Sequence, residues 1–323
     1  MSQPLNVLTI ATGKKLYINM AANLARSFWL WNADTGINFY LATDQASLLP
    51  DDVKQYAKII AVQPGELGEG FSTKLHLDKL APEGQTLFID SDCLVYGNLE
   101  PVFKKFAGHA VSVIGGYIAS GEWFGDVVAI CKKFKVRELP KFNGGIYYLE
   151  NYDEAKQVYE LARQLELEYD EIGFVRLRNR PNDEVIIALA MALTNKTPIP
   201  EDGSIMSDPL TCQGKFSTDI IKGETTLHNP PKPSPLHQEW FPFTTVHPLV
   251  VHFLGHHSLS HQYKKDVYLL SVIGLGGLSA RHKLKAFIGI ELPMKLKVGL
   301  KNTLRPIYKA VFGTRRIKPS ERL

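Results

Sequence analysis

Cysteine is scarce: Cys93, Cys131 and Cys212 are odd in number, far apart and without metal-ligand spacing. This excludes a disulfide framework and points to buried thiols in a reducing compartment. Long apolar runs are also missing. The longest uncharged stretch near the C-terminus, 267–280, contains three glycines and is shorter than the roughly 20 residues of a spanning helix, so no transmembrane helix is expected. The start, MSQPLNVLTIATGKK, has no basic flank before an apolar stretch and no small-residue cleavage pattern. It reads as a first strand and not as a secretory leader. No internal repeat is evident. The nearest approach to low complexity is the proline-dense HNPPKPSPLHQEWFPFTTVHP, 228–248, which excludes regular helix and reads as an extended loop with an aromatic tip.

What is present is an ordinary globular composition, 45% hydrophobic and 22% charged, long enough for one large domain or two smaller ones. The net charge of +4 hides an asymmetry: from Lys264 onward 14 Lys and Arg face 3 Asp and Glu, whereas 1–263 hold 23 against 30. The basic part is a tail.

LNVLTIAT (5–12) and INFYLATD (37–44) read as strands, with helical spacing of apolar residues from Ala21 to Trp31 between them. SLLPDDVKQYA predicts a helix opening at Pro50, KIIAVQ a third strand, STKLHLDKLAP a helix stopped by Pro82, and QTLFID a fourth strand. Strands separated by helices imply a mostly parallel sheet covered on both faces. Further on, HAVSVIGG (109–116), GGIYYLE (144–150) and PLVVHF (248–253) are strand-like, 152–168 is an amphipathic helix and DEVIIALAMAL (183–193) an apolar one.

Four short stretches carry chemistry. Asp90 and Asp92 end the apolar run TLFID, and a period of two aims both carboxylates to one side, where they repel unless a cation lies between them. A hard divalent ion, Mn²⁺ or Mg²⁺, suits such oxygen ligands; the plainer reading is a turn, where Asp is common. FNGG (142–145) sets an amide beside two glycines that let backbone approach a ligand closely, or else forms a simple turn. NDEV (182–185) places an acid pair at a helix start, where capping by Asn182 competes with catalysis as the explanation. VVHFLGHH (250–257) ends a strand on His252, an imidazole able to complete a coordination sphere or to be satisfied at a strand end.

Taken in this order, the residues from the first strand to about 263 resemble glycosyltransferase family 8. The resemblance implies an α/β GT-A fold, with a Rossmann-like, mostly parallel mixed sheet flanked by helices, and a transferase that moves a hexose from a nucleotide sugar to a hydroxyl with retention. It implies metal ligands Asp90, Asp92 and His252, and donor contacts at Ala11, Thr12, Tyr17, Lys74, Asp90, Ser91, Asn143, Gly144, Gly255 and His257. Asp183 and Glu184 fall on the family's Asp-Gln pair at the reacting face, so Glu184 departs from the pattern. The family's Lys-Pro-Trp is absent, and His257 occupies the place of that lysine. The implied cofactor is Mn²⁺ or Mg²⁺, and the implied partners are a nucleotide-sugar donor and a saccharide or lipid-linked acceptor.

Residues 264–323 read as a basic amphipathic extension, interleaving VYLLSVIGLGGL, AFIGI and IYKAVF with Lys and Arg. Such a segment suits an anionic leaflet better than a solvated helix or an oligomer contact, giving a cytoplasmic protein peripheral on the inner face of the membrane. With no recognisable reading module, nucleic acid is not an expected partner. Two other classes compete. A zinc hydrolase would use His252, His256, His257 and His261, whose helical spacing lacks an internal glutamate and is interrupted by Gly255. A non-catalytic sugar-nucleotide-binding scaffold would differ from the enzyme only in turnover.

Overall fold

The computed structural model describes residues 3–150 and 152–313. A six-stranded mixed sheet organises it, in the order β3-β2-β1-β4-β9-β6. Its strands are β1 (Leu5–Ile10), β2 (Asn38–Thr43), β3 (Ala57–Ala61), β4 (Gln85–Ile89), β6 (Val111–Ser112) and β9 (Ile146–Leu149). β1 to β4 run parallel, β9 is antiparallel to β4, and β6 is antiparallel to β9. Both faces are covered, which is why these strands are almost continuously apolar in sequence. Leu8, Phe88, Tyr147 and Leu149 point into one core layer, beneath α2 (Tyr152–Leu167) and α3 (Asp183–Leu193). Val7, Leu87, Ile89 and Tyr148 point into the other, against α1 (Lys15–Asn32). On α1 the buried positions include Ala21, Ala22 and Ala25, small side chains that let the helix lie close on the sheet.

Three smaller sheets extend this unit. β7 (Ile114–Ile118) lies between β10 (Ile199–Pro200), parallel to it, and β8 (Leu139–Phe142), antiparallel. β15 (Val250–His252) lies between β11 (Met206–Ser207), parallel, and β5 (Cys93–Val95), antiparallel. β12 (Phe216–Asp219), β13 (Glu224–His228) and β14 (Thr245–Val246) form an antiparallel meander, and the proline-rich loop spans β13 to β14.

Several elements differ from their sequence expectation. The segment HAVSVIGG splits at Val113, with β6 in the main sheet and β7 in the second. The helix expected after Pro50 is a single turn, Asp51–Lys54, and STKLHLDKLAP forms a 3₁₀ segment, Gly70–His76, followed by Leu77–Leu80. Tertiary bonds override periodicity there: Arg163 on α2 donates to Leu75 O at 2.7 Å and grips Asp78 at 2.7 and 3.0 Å, fixing the compact turn.

No chain break falls at 263/264. Helix α4 (His261–Gly274) runs through that point and buries Tyr263, Leu269 and Leu270 against Tyr96 and Phe253. Asp266 is fully buried, accepting from Tyr96 Oη at 2.8 Å and Thr218 Oγ1 at 2.6 Å. The packed body therefore includes α4. By contrast α5 (Leu292–Phe312) has no buried residue. The last part of the expected basic extension, 314–323, lies outside the described residues. Among the described residues no helix is long and apolar enough to cross a membrane.

Candidate active site

Three backbone hydrogen bonds assemble the site at the carboxyl end of β4. Asp90 N donates to Gly145 O at 2.9 Å, Cys93 N to Asp90 O at 3.0 Å, and Phe253 N to Asp92 O at 3.0 Å. The Asp-Ser-Asp segment is therefore a tight turn between β4 and β5, and not the strand whose period of two was expected to align its carboxylates. Pairing of β15 with β5 sets His252 opposite Cys93, one residue from Asp92. From the other side α3 presents Asp183 and Glu184 in its first turn. Asn182 caps this helix, accepting from Glu184 N at 2.9 Å, which is the capping reading of NDEV.

The two glycines of FNGG make room for side chains of the site. A Cβ on Gly145 would meet His252 Nδ1 and Met206 Sδ at 2.7 Å each; one on Gly144 would meet Tyr147 Oη at 3.0 Å and Asp183 Oδ2 at 3.1 Å. Asn143 is turned the same way. Its Oδ1 lies 2.9 Å from His252 Nδ1 and accepts from Gly145 N at 3.0 Å, while Nδ2 donates to Asp208 Oδ2 at 3.4 Å. Glu184 Oε1 accepts from Gly144 N at 2.8 Å.

Like charges are crowded here, and two cations hold them. Lys74 Nζ lies 2.7 Å from Asp90 Oδ2, 2.9 Å from Gly144 O and 3.7 Å from Asp183 Oδ2. Burial would drive the proton off Lys74, but the carboxylates of Asp183 and Asp90 outweigh it and keep the amine charged. The same balance raises the pKa of His252 to about 9, burial being overcome by Asp92, and lowers that of Asp92 despite its burial. Asp183 and Glu184 go the other way. Desolvation raises both, Glu184 to about 7 with Asp183 as the next cause, although Tyr147 Oη donates to Asp183 Oδ2 at 2.5 Å.

The fit to a metal ion turns on one oxygen. Asp92 Oδ1 is 2.9 Å from His252 Nε2, yet the approach is not directed as a hydrogen bond, and this buried oxygen has no donor among the described residues. With Nδ1 facing Asn143, Nε2 faces the carboxylate, and a divalent ion that displaced the Nε2 proton would find both as ligands. Asp90 Oδ2 is 4.0 Å from that nitrogen. Cys93 Sγ lies with Asp92 and His252 inside 4.8 Å, but burial pushes its thiol well above the usual range, so it stays protonated and a poor ligand. Asp92 and His252 thus converge as two candidate ligands of one divalent ion, while Asp90 Oδ2 is engaged by Lys74. The four histidines of the zinc alternative do not form one ligand group; the rings of His256 and His257 are tilted at 36° with centroids 4.1 Å apart, and the ligand group formed among the described residues contains only His252 of the four.

The other residues singled out in the sequence fall as follows. Ala11 is buried, its N donating to Ala42 O at 2.9 Å, and Thr12 follows it at the end of β1. Tyr17, in the first turn of α1, has its hydroxyl pKa raised by burial and then by the charges of Asp90 and Asp92. Ser91 is buried, and its N donates to Asp90 Oδ1 at 3.0 Å. Gly255 takes φ +60° and opens a 3₁₀ turn that carries His257 against Phe216. His257 does not supply the positive charge expected in place of a lysine, because burial and His256 hold its pKa down at about 4.

Sequence reasoning missed three contributors. Tyr147 was legible only as a strand residue. Asp208 braces Asn143 and takes Leu210 N at 2.8 Å, Thr211 N at 2.7 Å and Thr211 Oγ1 at 2.7 Å; its signal was the Asp-Pro-x-Thr turn pattern. Asp44, at the end of β2, accepts from Gly13 N at 3.1 Å and shapes the loop after β1.

No protein-family model matches the chain, and no curated protein matches it. Among solved structures, the galactosyltransferase LgtC in complex with donor and acceptor sugar analogues aligns over 78% of this chain and 87% of its own, with TM-score 0.48 and 13% identity. The apo-form glycosyltransferase GlyE of Streptococcus pneumoniae TIGR4 aligns over 84% and 62%, with TM-score 0.47 and 15% identity. The apo form of mouse xyloside xylosyltransferase 1 aligns over 64% and 87%, with TM-score 0.41 and 13% identity.

Proposed function

We propose that the chain is a metal-dependent glycosyltransferase of the family 8 type, with a GT-A fold, moving a hexose from a nucleotide-diphosphate sugar to a saccharide or glycolipid hydroxyl. The observation that carries this reading is the convergence on His252: Asn143 Oδ1 lies 2.9 Å from Nδ1, and the donorless Asp92 Oδ1 lies 2.9 Å from Nε2. Asp90, Asp92 and His252 would hold Mn²⁺ or Mg²⁺, which when bound supplies positive charge opposite a departing diphosphate. Lys74 spans Asp90 and Asp183 and keeps the two halves of the site in register. Tyr17 offers a ring on the donor side, and Ala11, Thr12 and Ser91 belong to the backbone that the family resemblance assigns to the donor. Asp183, clamped by Tyr147 and Lys74, presents a carboxylate to the cation-like anomeric carbon, and Glu184 fixes Gly144 next to it. Retention of configuration follows the family resemblance.

The exposed tail supports a location at an anionic membrane surface on the cytoplasmic side, close to a lipid-linked acceptor. On α5, Leu296, Leu300, Leu304, Ile307 and Val311 form one exposed apolar row. Lys297, Lys301 and Arg305 form a basic row on the same helix. Two measurements test the transferase reading. A thermal-shift panel of nucleotide sugars with and without Mn²⁺ should show metal-dependent stabilisation by at least one donor. Asp92→Ala should reduce hydrolysis of that donor at least about 100-fold. A chain that binds no donor in a metal-dependent way, or an unaffected Asp92→Ala enzyme, overturns it.

A further inference from the structure

The tip of the proline-rich loop is braced from within and plays no part in the chemistry above. Buried Asn229 pins the loop from inside: Nδ2 donates to Gln238 O at 3.0 Å and Phe241 O at 3.1 Å, and Oδ1 accepts from Gln238 N at 2.9 Å. Trp240 lies inside this bracket. Its Nε1 donates to Gln238 Oε1 at 3.2 Å and its ring meets Phe241 edge-on at 5.8 Å, yet 57% of the residue is exposed. An indole held still in water is a preorganised ligand surface.

Beside it is a cation without an anion. Lys141 Nζ lies 5.5 Å from the Trp240 ring. Lys141 is half-buried, burial alone lowers its pKa, and among the described residues no carboxylate pairs with it. Lys141 precedes Asn143 by two positions at the end of β8, with Phe142 between them turned into the core. The strand that carries Lys141 therefore runs directly into the FNGG turn, with at most about 7 Å of chain between Lys141 and Asn143.

We infer that Trp240 and Lys141 form an acceptor subsite for an anionic sugar, the pyranose ring stacking on the indole and its carboxylate or phosphate meeting the ammonium. This subsite rests on the transferase reading for its role, and its test is kept separate from donor binding. Saturation-transfer NMR on the full chain, with methyl β-glucuronide, glucose 6-phosphate and neutral methyl β-glucoside as probes, should give the stronger signals for one or both anions. Signal should fall at least about fivefold in Trp240→Ala, be largely kept in Trp240→Phe, and lose its preference for anions in Lys141→Gln. Equal signals for neutral and charged probes in the wild type, or unchanged signals in Trp240→Ala, overturn the subsite. If Trp240→Ala does not fold, Lys141→Gln decides: a retained anion preference overturns it. Metal-dependent donor stabilisation of the wild-type chain reports on the transferase reading independently, so either one can fail alone.

Discussion

Asn143 Oδ1 lies 2.9 Å from His252 Nδ1, and this contact sets what the opposite nitrogen can do. With Nδ1–H donating to the amide, Nε2 is turned toward Asp92 and becomes a ligand once its own proton is displaced. Asn143→Ala removes the acceptor and frees the ring, and Mn²⁺ affinity measured by calorimetry should fall roughly 10–100-fold. Asn143→Asp keeps an acceptor oxygen and should recover most of the loss. Equal affinities in all three proteins would separate the amide from the metal site.

Gly145 makes a sharper steric test than Gly144. A methyl at Gly145 would stand 2.7 Å from both His252 Nδ1 and Met206 Sδ, whereas at Gly144 the nearest contacts are 3.0–3.1 Å. Gly145→Ala should displace His252, destabilise the fold by about 1–3 kcal/mol and reduce metal affinity further than Gly144→Ala does. Urea unfolding and Mn²⁺ titration of the two variants decide the order; a tolerated Gly145→Ala contradicts the packing argument.

Parts of this arrangement were legible in the sequence for physical reasons. Strands buried on both faces leave continuous apolar runs, so β1, β2 and β4 stood out, and Asp90 and Asp92, common residue types at a strand end, were marked by the company of FNGG, NDEV and VVHF. Partnerships between distant residues left no local pattern. The bracing of Asn143 by Asp208, the clamp of Tyr147 on Asp183 and the neutrality of His257 all depend on contacts set by folding. The role of Lys74 also changed: the resemblance put it near the donor, whereas in the fold it first neutralises Asp90 and Asp183. Helix α4 buries the charge of Asp266 against Tyr96 and Thr218, so a boundary read from charge composition fell inside a packed helix.

Glu184 makes stability depend on pH. The folded chain holds its proton up to about pH 7, against an ordinary value of 4.5, because burial and Asp183 penalise the charge. Between those values the folded state binds more protons than the unfolded one, so this group's contribution to stability falls as pH rises. Glu184→Gln keeps an oxygen for Gly144 N and cannot ionise. The variant should match the wild type at pH 5 and exceed it at pH 8 by about 1–3 kcal/mol. Denaturant curves across that range check the sign, and a wild type that gains on the variant with rising pH refutes the assignment.

The tail offers a test independent of the catalytic residues. Helix α5 leaves Leu296 63%, Leu300 62%, Ile307 63% and Val311 66% exposed, a row that a folded monomer would not keep in water without a surface to cover it. Basic residues near an anionic leaflet contribute about 1 kcal/mol each. Replacing Lys297, Lys301 and Arg305 together by Gln should therefore weaken binding to phosphatidylglycerol vesicles by roughly two orders of magnitude, while leaving binding to neutral vesicles low in both proteins. Leu300→Ser with Ile307→Ser should weaken it without altering the salt dependence, since those residues act through buried apolar area and not charge. Cosedimentation at two salt concentrations separates the two contributions. Vesicle binding that ignores both sets of substitutions would assign the apolar row to another partner.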